Sequence, residues 1–143
     1  MACEITFKDR FVQLNNMQFN RLIDFAIEIA EVSATTTETE FVERMKNRNE
    51  GFFWPGRGIE IEEDFPEIVE RKFWSRVFFD LSRAIFDRTT GIHTHSFWQS
   101  QSIHQAHGTG LLFEYAVRDA EPRWSADTID RREFDEVVNR RKR

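Results

Sequence analysis

All four histidines of the chain fall in one short stretch, as His93 and His95 followed by His104 and His107. Clustered imidazoles could hold zinc or nickel, and the i, i+3 spacing of His104 and His107 places both rings on one side of a helix. His93 and His95 would then add ligands from the loop before it. The usual companions of a catalytic metal are missing, however. There is no H-E-x-x-H motif with its embedded base, the one cysteine is Cys3, and no Asp or Glu lies between Thr94 and Gly110. A small metal-dependent enzyme or metal sensor using these four residues is therefore the second reading, a helical oligomerisation or adaptor module is the third, and no cofactor is expected. Nucleophilic chemistry has less to work with. Ser82, Ser96, Ser100, Ser102 and Ser125 lack the G-x-S-x-G elbow, and Cys3 sits near a terminus. The Trp54-Pro-Gly-Arg-Gly run has glycines but no Lys-Ser/Thr to cradle a phosphate. The chain is expected to bind, not to catalyse.

What it has for binding is charge. Glu60, Glu62, Glu63, Asp64, Glu67 and Glu70 crowd one stretch of a chain whose formal net charge is −5. Ile59 and Ile61 alternate with the first of these acids, which predicts a short extended segment that buries the two isoleucines and turns Glu60 and Glu62 outward. One use of the cluster is local, since Glu63 and Asp64 would be favoured by the positive end of a following helix. The other is an acidic docking patch of Glu60, Glu62, Glu63, Asp64 and Glu67. Phe52, Phe53 and Trp54 flank it, and Trp54 is the expected anchor, because an irregular loop cannot easily bury three aromatic rings together with its own backbone. The balance of charge argues against nucleic acid, which needs Lys and Arg to displace counterions, and for a basic protein partner. The closing Arg140-Arg-Lys-Arg is read as a frayed, solvated end.

The elements that would position these groups are mainly helical. Glu4 to Gln13 carries a short alternation that fits either a strand or a lead-in turn. Asn15 or Asn16 can cap a helix whose Phe19, Leu22, Ile23, Ala26, Ile27 and Ala30 recur at three- and four-residue steps, ending near Val32. The run from Thr35 to Glu40 offers capping-box registers for a second helix, about Glu38 to Asn49, with Phe41, Val42 and Met45 as its apolar stripe and Gly51 as its stop. The strongest signal is a central helix over roughly Phe65 to Arg88, opened by Asp64 and Pro66. Its apolar arc is Val69, Phe73, Trp74, Val77, Phe78, Leu81, Ala84 and Ile85, and Arg76–Asp80 and Arg83–Asp87 stand at ion-pair spacing. Gly91 ends it. A further segment from Thr94 or Ser96 through Trp98, Ile103, Ala106, Leu111, Phe113 and Ala116 is interrupted by Gly108 and Gly110, which mark either a break or a crossing too close for a side chain. Past Pro122, Ser125 or Asp127 can cap a last helix through Ile129, Phe134, Val137 and Val138.

The expected fold is a single mainly α domain over 1–143, a bundle of about five helices around the aromatic-rich central one, with a possible short N-terminal strand. The length suits one domain, and 15 Phe with 4 Trp supply bulky core material. A lone cysteine, no basic and apolar leader after Met1, and no uninterrupted apolar span predict a cytoplasmic protein without a membrane segment.

The stretch Arg71-Lys-Phe-Trp-Ser-Arg-Val-Phe-Phe-Asp-Leu-Ser-Arg-Ala-Ile-Phe-Asp-Arg-Thr-Thr-Gly, with Phe97-Trp-Gln and Ile103-His-Gln-Ala after it, resembles small cytoplasmic immunity proteins of bacterial polymorphic-toxin and contact-dependent growth inhibition systems. The resemblance spans Arg71 to Val117 and rests on helix-core residues and on small, acidic, aromatic-rich character. It implies an inhibitor that neutralises a cognate toxin domain, often a nuclease, by tight stoichiometric binding. No site residue carries over from it.

Overall fold

The computed structural model of the chain describes residues 2–50, 58–87 and 96–120. Two strands come first, β1 (Ala2–Phe7) and β2 (Arg10–Asn15), so the N-terminal alternation is a hairpin. They pair antiparallel with Phe7 opposite Arg10, and Lys8, at the first loop position, takes a positive φ of 55°. Helix α1 (Asn16–Ser33) follows without a loop, because Asn15 closes a complete capping box with Gln18. Its buried residues are Phe19, Leu22, Ile23, Ala26, Ile27 and Ala30, the six that the periodicity marks. Helix α2 (Thr39–Glu50) begins after a turn in which the Thr35 N–H donates to the Glu38 carboxylate at 3.0 Å, and it buries Phe41, Val42 and Met45.

A two-residue strand β3 (Ile59–Glu60) joins β1 in parallel and completes a three-stranded sheet of order β2-β1-β3. One helical turn, α3 (Ile61–Asp64), comes next, and then the central helix α4 (Ile68–Asp87) and α5 (Ser96–Ala120). The central helix thus starts beyond Asp64 and Pro66. Asp64 belongs to the preceding turn, and the first bond of α4 runs from the Arg71 N–H to the Glu67 carbonyl. The described residues hold five helices and one small sheet, a mainly α fold with an N-terminal β hairpin.

Helices α4 and α5 pack against each other along most of their lengths, and the sheet lays its apolar face on α5. The core is a chain of rings: Phe41 on Phe73 at 5.5 Å, Phe73 on Trp74 at 4.9 Å, Phe78 on Phe113 at 5.7 Å, and Phe113 edge-on to Phe65 at 5.0 Å. Aromatic pairs in such offset and edge geometries add about 0.5–1.5 kcal/mol each beyond the area they bury.

Three details differ from the sequence reading. Val69 was expected on the apolar arc and is 65% exposed, while Glu70 and Arg71 beside it are buried. The first turn of α4 is therefore rotated so that Glu70 meets arginines of α2. In α5 the buried leucine is Leu112 instead of Leu111. Gly108 and Gly110 lie inside one continuous helix, and a Cβ on Gly110 would meet the Phe79 ring at 3.0 Å, so this pair marks a close crossing. Arg76 reaches across to Glu38 at 3.1 Å in the turn before α2. Gly51, the Phe52–Trp54 loop, Gly91, His93, His95, the last helix past Pro122 and the basic tail lie outside the described residues, as does the side chain of Asp87.

Candidate functional site

The acidic stretch is built on a short, well-anchored unit. Gly58 enters β3 at φ +83°, so close to β1 that a Cβ there would lie 2.0 Å from the Glu4 carbonyl oxygen. Ile59 and Ile61 are fully buried, and so is Phe65 at the end of α3. Three apolar side chains in seven residues pin the segment to the core and force the residues between them outward, as the alternation predicts. Glu60, Glu62 and Glu63 are exposed.

The remaining predicted acids do other work. The Asp64 carboxylate accepts the Glu60 N–H at 3.0 Å, which satisfies a backbone donor at the start of α3. Glu67 accepts from Arg44 at 3.1 Å, tying α4 to α2. Glu70 is the most consumed of all. It accepts from both terminal nitrogens of Arg48 at 2.9 and 3.3 Å and from the Trp74 indole N–H at 3.2 Å, with Arg44 at 3.6 Å. A buried carboxylate is tolerable only with such partners. The patch expected from Glu60 to Glu67 therefore narrows to Glu60, Glu62 and Glu63. Glu60 and Glu62 have no ion-pair partner among the described residues, whereas Glu38, Glu40, Glu67, Glu70 and Asp119 all have one. Trp54 lies outside the described residues, so its place beside these acids is not defined.

The sheet adds four groups that the sequence reading did not place in the patch. Thr6 pairs with Phe11 on one side and with Glu60 on the other, and Glu4 pairs with Gln13. Paired residues share a face, and alternate residues of a strand share it too. The face opposite the core thus carries Glu4 and Thr6 from β1, Phe11 and Gln13 from β2, and Glu60 from β3. Cys3, Ile5, Phe7, Leu14 and Ile59 point the other way and are buried. Phe11 is 58% exposed. The signal was present in the alternation from Glu4 onward, but only the strand pairing could say that this face meets the acids. Lys8 borders the patch, bound to Asp119 at 2.7 Å. That hydrogen bond, with further support from Asp119, Glu62 and Asp9, outweighs desolvation and raises the Lys8 ammonium above its ordinary value.

The other candidate chemistry is dispersed. Cys3 is buried, its thiol donates to the Asn16 side chain, and burial pushes that thiol up, away from the thiolate a nucleophile requires. His107 is buried edge-on against Phe79 at 5.0 Å. No group of three or more His, Cys, Asp or Glu side chains suited to a metal occurs among the described residues, and the full four-histidine set extends outside them. A groove of about 390 Å³ runs between α4 and α5, lined by Lys72, Arg76, Phe79, Asp80, Glu114 and Val117, and none of the predicted acids faces it. No helix among the described residues is long and apolar enough to cross a membrane. Comparison with known proteins finds no matching family model, no similar curated protein and no similar solved structure.

Proposed function

We propose that the protein is an immunity-type inhibitor, acting in the cytoplasm, that neutralises a cognate toxin domain by binding it through the acidic face formed by Glu60, Glu62 and Glu63. The observation that carries this reading is the contrast within one acidic stretch. Asp64, Glu67 and Glu70 are spent on internal contacts, while Glu60 and Glu62 are held outward and form no ion pair among the described residues. Fixed carboxylates of one sign steer a basic partner and raise its association rate, and a nuclease domain that must grip phosphate offers such a basic surface. The net charge of −5 acts in the same direction.

Affinity capture from the native host, together with expression of the product of the neighbouring reading frame, would supply the partner. With that partner in hand, the triple variant Glu60→Lys, Glu62→Lys, Glu63→Lys is expected to keep its circular dichroism and thermal midpoint and to lose roughly tenfold or more in association rate. Asp64 is left intact because its role is structural. A folded triple variant that associates at the wild-type rate removes the acidic face from the interface.

A further inference from the structure

We infer that Phe11 is the aromatic anchor of this interface, so that the solvent face of the sheet docks an arginine-bearing segment of the partner. The inference rests on the reading of the acidic face given above and names the residue around which that face is organised.

Its basis is the strand register. Phe11 and Glu60 lie on either side of Thr6, two strand spacings or about 10 Å apart, and on the same face. Glu4 stands beside Thr6 on that face, and Glu62 is exposed on the helical turn that follows Glu60. The remaining outward positions of β2, Gln13 and Asn15, are polar, so among the described residues the ring is a single apolar post in a polar and acidic rim. Interfaces concentrate energy in that arrangement, with one desolvated aromatic group and charged neighbours that exclude other partners.

The chain itself shows what pairs with its rings. Arg10 lies over Tyr115 at 4.0 Å, Arg48 over Phe65 at 4.4 Å and Arg76 over Phe73 at 5.2 Å. The planar guanidinium can stack on an aromatic face and still donate to a carboxylate, as Arg48 does between Phe65 and Glu70. Phe11, with Glu4 and Glu60 on the same face, repeats that pairing of ring and acid on the outside of the molecule without an arginine from the described residues. A basic segment brings it.

The test uses octa-arginine as probe and the whole chain labelled with nitrogen-15. Titration is expected to shift the amides of Glu4, Thr6, Phe11, Glu60 and Glu62 along one saturation curve. Phe11→Ala should weaken the peptide's Kd about three- to fivefold with an unchanged thermal midpoint, Phe11→Trp should restore it, and octa-lysine should bind less tightly. If Phe11→Ala leaves the Kd unchanged while Glu60 and Glu62 still shift, the anchor is wrong and the acidic face stands. If the shifts fall elsewhere, for instance beside Asp80 and Glu114, both are overturned.

Discussion

Gly58 occupies a position that no other residue fits. It combines a φ of +83° with an approach to the Glu4 carbonyl that a Cβ would bring to 2.0 Å. Gly58→Ala is expected to cost about 3 kcal/mol or more in urea unfolding, because backbone strain and a clash with another strand's backbone add. A cost below about 1 kcal/mol would mean that β3 does not hold the acids where they are placed here. The two glycines of α5 should part company in the same assay. A methyl at Gly110 meets three carbons of the Phe79 ring at 3.0–3.2 Å, so the contact offsets the roughly 1 kcal/mol that Ala gains in a helix interior, and Gly110→Ala should destabilise by about 1 kcal/mol. At Gly108 the neighbour is one methyl of Val12 at 3.2 Å, on an edge strand that can yield, so Gly108→Ala should be neutral or mildly stabilising. Sequence reading could state the alternatives of break and close crossing for this pair but not choose, since the choice depends on a ring in another helix.

At the scale of elements, local signals read well and partner-dependent ones did not. The cap at Asn15, the turn between Thr35 and Glu38, and the apolar faces of α1 and α2 are decided within a few residues, so spacing suffices. The rotation of α4 that buries Glu70 and exposes Val69 is decided by Arg44 and Arg48 on α2, and nothing near Glu70 announces them. The consequence is an element held by charge. Helix α2 has only Phe41, Val42 and Met45 as its buried stripe; its backbone lies close to α1, and it reaches α4 through side chains. Arg48 and Arg44 clamp it to Glu70, Lys46 reaches Glu31 at 2.9 Å, and Asn49 reaches Asp24 at 3.2 Å. Glu70→Gln keeps an acceptor for the Trp74 indole but leaves Arg48 without a counter-charge, so it should destabilise by about 2 kcal/mol. Hydrogen exchange locates the effect: α2 amides should lose protection at least tenfold more than those of α4 and α5, because an element with few apolar contacts opens by itself. Uniform loss across all three helices would make the clamp part of global stability instead.

At the scale of the whole molecule, the mainly α class followed from the helical periodicities, whereas the sheet's solvent face required pairing between residues far apart in the chain, such as Thr6 with Glu60. That long-range pairing is why an acidic run alone could not show that Glu60 shares a face with Glu4 and Phe11. The same scale governs the response to pH. Burial alone would raise the Glu38 carboxyl, but the hydrogen bonds from Arg76 and from the Thr35 backbone outweigh it and hold the group below its ordinary value of 4.5. A carboxylate lowered on folding contributes stability that is present above its unfolded value and lost as pH falls through the folded one. Lys8 and Lys46 are raised above 10.5 by Asp119 and Glu31, so their contributions persist through neutral pH and disappear only in strong alkali. Stability should therefore be flat from about pH 6 to 9 and decline in the acid range. Glu38→Gln isolates one part of that decline. It should be less stable than wild type by about 0.5 kcal/mol at pH 7, a partly exposed ion pair's worth, and the gap should close as pH is lowered toward 3. Urea midpoints measured every half unit would show it, and a gap that stays constant down to pH 3 would assign the loss to packing rather than to the Glu38–Arg76 charge pair.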